Sequence, residues 1–339
     1  MVRVGINCNG RIGRGFLRAA HEVGGIEIVG INDLGDAANL AYLLKYDSVY
    51  GKAAFSVSAE GDALVVDGKK IPISKEKDPA ALPWGALGAD IGVESTGLFT
   101  DYGKAKAHLD AGAKRVVISA PAKGGEDVGV RGETVLMGVN EEKLATCSIS
   151  SNASCTTNAS SPLIAILDAA IGIEKAVLNT THSYTATQAI VDGPSKKGPR
   201  EGRAAALNMI PSSTGAAIAV TQAYETLAGK FDGISVRVPT PAGSLADITF
   251  IAKRDTTVEE VNDALRKAAT EERWQGIFTA TDEELVSHDI IGEPYGSIAD
   301  LTMTRVVAGN LVKVMAWYDN EMGYVYTLVR HVLKAGTHL

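Results

Sequence analysis

Apolar residues in the first third of the chain form short continuous runs that alternate with segments of helical spacing. The runs at 2–6 and 26–31 predict buried strands, and the segment 12–23 between them has the three- and four-residue spacing of a helix. The same alternation continues with strand candidates at 91–95 and 115–119 and a helix candidate at 103–111. Strands that alternate with helices predict a parallel sheet, with its ligand at the carboxyl ends of the strands.

The turn after the first strand carries the features of a nucleotide-binding turn. It keeps Gly10 and Gly13, and Asp33 follows the second strand about twenty positions on. Glycines let the backbone approach a pyrophosphate, and the start of the following helix offers oriented N–H groups. Two glycines alone would be equally typical of a plain tight turn, and Asp33 of a turn cap. The combination of strand, turn, helix and acidic residue favours a dinucleotide site.

The pattern changes after residue 155. Longer strand candidates lie at 176–182, 233–238, 246–251 and 311–317, and helix candidates at 215–227 and 258–270. We therefore predict an α/β chain of two domains. A Rossmann-type dinucleotide-binding domain would span 1–154, and an α+β catalytic domain with a larger mixed or antiparallel sheet would span 155–319. The helical segment 320–339 is predicted to complete the first domain.

Composition narrows the function classes. The 339 residues include 33 Lys and Arg against 40 Asp and Glu, a net charge of −7. Basic residues stand singly or in adjacent pairs, which argues against a nucleic-acid surface. No apolar stretch approaches a membrane span, and the chain begins as a strand rather than a signal peptide. Three cysteines make no disulfide framework, so we expect a cytoplasmic protein.

Candidate chemistry is concentrated around Cys155, which stands among small hydroxyl and amide residues from Ser151 to Asn158. His182 lies in a second polar stretch, Thr-Thr-His-Ser-Tyr-Thr. A catalytic thiol needs electropositive help, from a helix N-terminus or from a neighbouring base. The helix begins either near Cys155 or only at Pro162. Taken alone, Cys155 could equally be a buried structural thiol, and His182 a hydrogen-bonded histidine at the end of a strand.

Both segments together resemble the phosphorylating, NAD-dependent glyceraldehyde-3-phosphate dehydrogenases, and the resemblance extends from Gly5 to Tyr324. It implies an oxidoreductase in which the Cys155 thiolate attacks the aldehyde of glyceraldehyde 3-phosphate. His182 would act as the base, and inorganic phosphate would release 1,3-bisphosphoglycerate from a thioester. The resemblance also implies a homotetramer and no metal, and no Cys/His cluster has metal-ligand spacing.

The resemblance assigns residues to two phosphate sites and to the cofactor. Thr185 and Arg237 would hold the substrate phosphate. Inorganic phosphate would be held by Ser154, Thr156, Thr214, Gly215 and an arginine, for which Arg200 matches better and Arg203 is the alternative. The implied NAD contacts are Gly10, Arg11, Ile12, Asp33, Ser119, Asn320 and Tyr324. The Asp33 carboxylate would accept from ribose hydroxyls and repel a 2′-phosphate, which favours NAD over NADP.

The sequence departs from the family pattern at a few positions. Cys8 replaces the usual glycine of the turn, Asn9 an aromatic residue, and Met322 a Trp or Phe. These departures leave open a binding protein that keeps the fold without turnover. A second alternative is an erythrose-4-phosphate dehydrogenase, because those enzymes are similar through the cysteine segment. The Tyr184-Thr185 and Thr214-Gly215 pairs favour the glyceraldehyde-3-phosphate enzyme over the erythrose-4-phosphate enzyme.

Overall fold

The computed structural model describes residues 1–125 and 129–339. Residues 126–128 of the glycine-containing segment 124–132, for which the sequence predicts no function, lie outside this description. The chain divides into two compact units: Met1–Ala153 with Leu328–Leu339, and Ser154–Thr327. The boundary falls one residue before the predicted one. Residues 320–327, predicted to belong to the first domain, group with the second unit. There Gly323 packs so closely on Tyr295 that a Cβ would lie 2.5 Å from the Tyr295 carbonyl oxygen.

The first unit is an α/β unit built on strands that are mostly short and buried. Its helices are α1 Arg11–Val23, α2 Ala37–Lys45, α3 Trp84–Leu87, α4 Tyr102–Ala105 and α5 Ala107–Asp110. Its strands are β1 Val2–Asn7, β2 Ile26–Asn32, β3 Tyr46–Asp47, β4 Gly51–Lys52, β5 Val57–Ala59, β6 Ala63–Val66, β7 Lys69–Ser74, β8 Ile91–Glu94, β9 Arg115–Ile118, β10 Gly132–Thr134 and β11 Ile149–Ser151. Short 3-10 helices span Pro79–Ala81 and Glu141–Ala145.

The main sheet of the first unit has the order β10-β11-β9-β8-β1-β2-β7-β6-β5 within the described residues. The neighbouring strands from β10 to β7 are parallel, whereas β7, β6 and β5 form an antiparallel extension. The predicted parallel sheet is therefore confirmed. Because β2 and β8 lie on opposite sides of β1, the strand order reverses at β1, and a crevice at the carboxyl ends of β1 and β8 is the expected ligand position.

The second unit has longer strands. Its helices are α6 Cys155–Ala170, α7 Ala216–Ala223 and α8 Val258–Ala269, followed by α9 Met322–Gly336, which continues into the first unit. Its strands are β12 Ile173–Ser183, β13 Ile210–Ser213, β14 Phe231–Val238, β15 Ser244–Ala252, β16 Phe278–Thr281, β17 Ser297–Val307 and β18 Leu311–Tyr318. Short 3-10 helices span Pro199–Gly202, Glu225–Leu227 and Glu272–Trp274.

The sheet of the second unit is mixed, as predicted, with the order β13-β14-β12-β15-β18-β17-β16. The β12–β14 and β16–β17 pairs are parallel and the other pairs antiparallel. It has fewer strands than the first sheet, seven against nine in the described residues, but its strands contain more residues in total. Its strands reach 11 residues, and the antiparallel extension of the first sheet accounts for the difference in strand number.

Strand β15 lies at the centre of this sheet, paired with β12 on one side and with β18 on the other. Its residues follow a strict pattern of buried and half-buried positions, so that Ala246, Ile248 and Phe250 face the core on one side. Helix α6 packs on the same sheet and is buried from Thr156 to Leu167. The first residues of α6 are thereby held against the strand ends of the second unit. No helix in the described ranges has the length and apolar character that a membrane crossing requires.

Candidate active site

Cys155 is the first residue of α6. The side chain of Ser154 caps this helix, because its hydroxyl oxygen accepts the Thr157 N–H at 3.1 Å. The helix continues through Pro162, so the alternative start at Pro162 does not occur. Cys155 therefore lies at a helix N-terminus, where the backbone dipole favours a thiolate.

His182 lies beside this thiol. Its Nε2 atom lies 3.4 Å from the Cys155 Sγ atom, within hydrogen-bonding range for sulfur. The imidazole is buried at the carboxyl end of β12, one residue before the strand ends. The two residues that the sequence predicted to act together are thus in contact in the second unit.

The other ring nitrogen of His182 has two competing partners. Nδ1 lies 2.6 Å from the Ser183 carbonyl oxygen and 2.5 Å from Arg237 NH1. If Nδ1 carries the proton, it donates to Ser183 and leaves Nε2 free to accept the thiol proton. If Nδ1 accepts from Arg237, the proton sits on Nε2 and the ring cannot act as a base towards Cys155. The position of Arg237 therefore selects the tautomer.

The same surroundings set the protonation of the pair. Burial, reinforced by the Arg237 cation, lowers the pKa of His182 to about 3. Burial raises the pKa of the Cys155 thiol, while the Arg237 cation and hydrogen bonds at the helix start act against that rise. The resting pair is accordingly a neutral thiol beside a neutral imidazole, which suits proton transfer during the reaction rather than before it.

Tyr318 is a further residue of this site that the sequence did not single out. It is buried, its hydroxyl lies 2.8 Å from both Thr156 Oγ1 and Thr180 Oγ1, and its ring meets His182 edge-on at 5.9 Å. Burial raises the pKa of Tyr318, so its hydroxyl stays protonated. Because Tyr318 is far from Cys155 in sequence and ends an ordinary apolar strand, no sequence signal identified it.

The residues predicted to bind the two phosphates differ in how free their side chains are. Thr156 is 4% exposed, and its hydroxyl already has a partner in Tyr318. Arg203 pairs with Asp192 at 2.9 Å. Arg200 is exposed and forms no ion pair within the described ranges, which favours Arg200 over Arg203 as the phosphate ligand.

The remaining phosphate candidates lie at element ends. Gly215 caps α7, and a Cβ there would meet no atom within 4 Å, so its backbone is open to a ligand. The Thr214 hydroxyl accepts the Ala216 N–H at 3.2 Å. Thr185 lies two residues after the end of β12, and its backbone N–H donates to Gln188 Oε1 at 2.8 Å. Anion binding at a helix start such as that of α7 is physically favourable.

The turn after β1 fits a dinucleotide. Gly10 caps α1, and Gly13 packs so closely on the turn that a Cβ would lie 2.1 Å from the Cys8 carbonyl oxygen. Asp33 anchors the turn from β2: its Oδ2 accepts the Asn9 N–H and its Oδ1 the Gly35 N–H, both at 2.8 Å. Each oxygen keeps a lone pair for a ribose hydroxyl.

Cys8 gives this turn an unusual backbone. Its φ is +81°, in the left-handed region that favours glycine. The side chain of Asn9 is fully buried, and neither its Oδ1 nor its Nδ2 has a hydrogen-bond partner among the described residues. The two departures from the family pattern therefore leave the turn intact but make its backbone and its buried amide energetically costly.

The other residues predicted to contact the cofactor are placed as follows. Arg11 and Ile12 form the first turn of α1, with Arg11 paired to Asp47. Ser119 follows β9, and its N–H donates to the Glu94 carbonyl at 2.9 Å. In the second unit, Asn320 accepts the Ser244 hydroxyl proton at 2.9 Å, and Tyr324 is buried in α9. Their roles towards NAD stay predictions.

A buried polar network supports the end of β8, which the sequence had not marked. Glu94 accepts from Asn7 Nδ2 at 2.7 Å, from His108 at 3.0 Å and from the Thr96 N–H at 2.7 Å. Trp84 donates to His108 Nδ1 at 3.0 Å, so the His108 proton lies on Nε2. The network fixes the 95–97 loop beside the Cys8 turn. Its members lie on separate elements between Asn7 and His108, so no local sequence pattern connects them.

Comparisons with known proteins agree with this arrangement. Residues 2–102 match the family described as glyceraldehyde 3-phosphate dehydrogenase, NAD binding domain, and residues 154–320 match its C-terminal domain. A glyceraldehyde-3-phosphate dehydrogenase of Streptomyces coelicolor is 47% identical, with 100% of this chain and 99% of the relative covered. One of Mycobacterium avium is 49% identical over the same shares. Another, of Trichormus variabilis, is 50% identical over 98% of this chain and 96% of the relative. The chain therefore belongs to the glyceraldehyde 3-phosphate dehydrogenase family.

Proposed function

We propose that this chain catalyses the NAD-dependent oxidative phosphorylation of D-glyceraldehyde 3-phosphate to 1,3-bisphosphoglycerate. The observation that carries the proposal is the 3.4 Å contact between Cys155 Sγ and His182 Nε2 at the start of α6. A thiol, a base and a helix N-terminus in one place are what covalent aldehyde oxidation needs. The names of the relatives, all glyceraldehyde-3-phosphate dehydrogenases, support the choice of substrate.

The first step forms a covalent adduct on Cys155. The thiol proton passes to His182 Nε2, and the sulfur attacks the aldehyde carbon. His182 then returns that proton to the former carbonyl oxygen, which gives a thiohemiacetal and leaves Nε2 free to accept a proton again. The Cys155 backbone N–H and the His182 ring stabilise charge on the substrate oxygen. For this step His182 must hold its own proton on Nδ1, donated to the Ser183 carbonyl.

Oxidation leaves a thioester on the same sulfur. His182 accepts the hydroxyl proton of the thiohemiacetal as the carbon–hydrogen bond breaks. NAD, when bound, supplies the hydride acceptor, and Gly10, Gly13 and Asp33 of the first unit would hold it. An oxygen of inorganic phosphate then attacks the thioester carbonyl. The carbon–sulfur bond breaks, and Cys155 leaves as the thiolate.

The two phosphate groups are assigned to separate parts of the second unit. Thr185 and Arg237 would hold the substrate phosphate, and Arg200, Thr214 and Gly215 the inorganic phosphate, with Ser154 and Thr156 beside it. A dianion on Arg237 would draw its guanidinium from His182 Nδ1 and so favour the base-competent tautomer. Substrate binding would in this way prepare the base.

We further propose a cytoplasmic homotetramer. Support comes from the segment between β12 and β13, where Ile190 is 90% exposed and Leu207 83% exposed. Several large apolar side chains left exposed in one segment are typical of a surface that another subunit covers. Sedimentation of the purified protein would give the mass of four chains, and the mass of one chain would contradict this part of the proposal.

The activity is tested by NADH formation with glyceraldehyde 3-phosphate and with erythrose 4-phosphate, each with and without inorganic phosphate. We expect sustained turnover only with glyceraldehyde 3-phosphate and phosphate together. Preference for erythrose 4-phosphate would identify the alternative substrate. Equal rates without phosphate would mean that water resolves the acyl enzyme. NAD binding without NADH formation would indicate a binding protein.

A further inference from the structure

The long segment between β12 and β13 contains two buried polar side chains that the mechanism does not use. Gln188 and Glu201 are each 8% exposed, whereas large apolar side chains of the same segment point to solvent. Backbone hydrogen bonds cross the segment, such as Gly193 N–H to Gly202 O and Ala205 N–H to Ala189 O, both at 2.9 Å. Because these two polar side chains are buried, we expect them to have hydrogen-bond partners within the protein.

The two side chains form a continuous chain of hydrogen bonds. Ser212 Oγ donates to Glu201 Oε1 at 2.5 Å, and Gln188 Nε2 donates to Glu201 Oε2 at 2.5 Å. Gln188 Oε1 in turn accepts the Thr185 N–H at 2.8 Å. Both carboxylate oxygens are satisfied by uncharged donors, and Glu201 forms no ion pair within the described ranges. A buried carboxylate bound this way holds its donors tightly, because charge-assisted hydrogen bonds are the strong ones.

The ends of this chain coincide with the two proposed phosphate sites. Thr185 is a candidate ligand of the substrate phosphate. Ser212 lies on β13, two positions before Thr214, which is a candidate ligand of the inorganic phosphate. Arg200 is the residue before Glu201, and its side chain is exposed while that of Glu201 is buried. Arg200, Glu201 and Ser212 line one surface cavity of about 650 Å³. One buried carboxylate thus links the backbone of both anion-binding regions.

We propose that Glu201 and Gln188 act as positioning residues, a clasp that sets the Thr185 loop and the Arg200–Thr214 region in their binding geometry. Neither side chain touches substrate; Glu201 acts through Gln188 on Thr185 and through Ser212 on β13. The proposal rests on the proposed function, since it uses that assignment of the two phosphates.

An alternative account considers only the negative charge of Glu201. A carboxylate beside an anion site repels phosphate, so its removal alone would lower the KM for phosphate. If Glu201 is instead a positioning residue, its removal raises that KM, because the arginine and the hydroxyls lose their alignment. The two accounts predict opposite signs for one measurement.

The first test compares Glu201→Ala and Gln188→Ala with their double variant. We expect Glu201→Ala to raise the KM of both glyceraldehyde 3-phosphate and phosphate by about 10- to 100-fold, the usual effect of misplacing a binding group. Gln188→Ala should raise mainly the KM for the aldehyde. The double variant should be little worse than Glu201→Ala, because both changes break one network. Asp192→Asn, which alters an exposed ion pair of the same segment, is the matched control and should leave both KM values unchanged.

A second variant keeps the test decisive if Glu201→Ala does not fold. Gln188→Glu places two carboxyl groups together, and only a shared proton can restore the hydrogen bond between them. Its KM for the aldehyde should therefore rise steeply with pH, whereas that of the wild type should not. A KM for phosphate that falls in Glu201→Ala, additive effects in the double variant, or a wild-type pH course in Gln188→Glu would each overturn the clasp. A wild-type enzyme that forms no NADH with phosphate would instead overturn the proposed function.

Discussion

His182 and Arg237 lie opposite each other on the parallel strands β12 and β14, and this register brings Arg237 NH1 to 2.5 Å from His182 Nδ1. The candidate phosphate ligand and the candidate base are therefore direct neighbours before any substrate is present. The Arg237 cation lowers the pKa of the imidazole and acts against the burial that raises the pKa of the Cys155 thiol. One guanidinium thus influences both reacting groups.

Replacing Arg237 by glutamine should raise the pKa of Cys155, because burial then acts without the opposing cation. The rate of Cys155 labelling by a haloacetamide follows the thiolate fraction, so its pH profile should move to higher pH. Labelling is followed by peptide mass spectrometry, which separates Cys155 from Cys8 and Cys147. Arg203→Gln is the matched control and should keep the wild-type profile. A profile of Arg237→Gln that stays in place or moves to lower pH would contradict the electrostatic account.

Cys155→Ser should abolish oxidation while NAD still binds. A serine hydroxyl at this helix N-terminus remains protonated at neutral pH and is a far weaker nucleophile than the thiolate. The residues proposed for NAD binding in the turn and at Asp33 are untouched by the change. Steady-state NADH formation and NAD titration by calorimetry measure the two effects separately. The control is Cys147→Ser, a buried thiol outside the site, which should keep turnover. Near-normal turnover of Cys155→Ser would rule out the covalent route.

His182→Asn should slow hydride transfer by about 10²-fold or more, the usual loss when an acid–base group is removed. Asparagine keeps a polar group of similar reach but cannot take up a proton from the thiol or the thiohemiacetal. Single-turnover NADH formation isolates this step from phosphate attack. His288→Asn changes an exposed histidine and serves as the control. An unchanged single-turnover rate would remove His182 from its role as base.

The backbone at Cys8 predicts an unusual order of stabilities. At an ordinary φ, alanine is more stabilising than glycine by about 0.4–1 kcal/mol. At the φ of +81° found here, the order should reverse, with Cys8→Gly more stable than Cys8→Ala by about 1 kcal/mol. Thermal or urea unfolding of the two variants gives the difference. As a control, Ala38→Gly in helix α2 should destabilise. A more stable alanine variant at position 8 would show that the turn is not strained.

The fold follows from local patterns to a large extent. Apolar runs predicted β1, β2, β8, β9, β12, β14, β15 and β18, and helical spacing predicted α1, because burial imposes a repeat on each element. They did not predict β5, β6, β7 or β17. The longer strand candidates after Cys155 predicted a mixed or antiparallel sheet. The apolar run of β2 also placed Asp33 directly after that strand, where its carboxylate accepts the Asn9 N–H. Helices and strands with a regular pattern of buried apolar residues can therefore be predicted from the sequence alone.

The site depends more on contacts that no local pattern encodes. The Arg237–His182 contact arises from the register between two strands, and Tyr318 reaches Thr156 across 162 positions of sequence. The left-handed backbone at Cys8 was also not predictable, because a cysteine rarely takes that conformation. Resemblance supplied Cys155 and His182, but the tautomer of His182 depends on distances that only the structure gives.

The most direct test of the account is a burst experiment without inorganic phosphate. With glyceraldehyde 3-phosphate and NAD present, the protein should form NADH in an amount equal to its chains and then stop. Mass spectrometry should find the acyl group on Cys155, and added phosphate should start steady turnover and release 1,3-bisphosphoglycerate. Steady turnover without phosphate, or a burst with no acyl group on Cys155, would contradict a thioester that phosphate resolves.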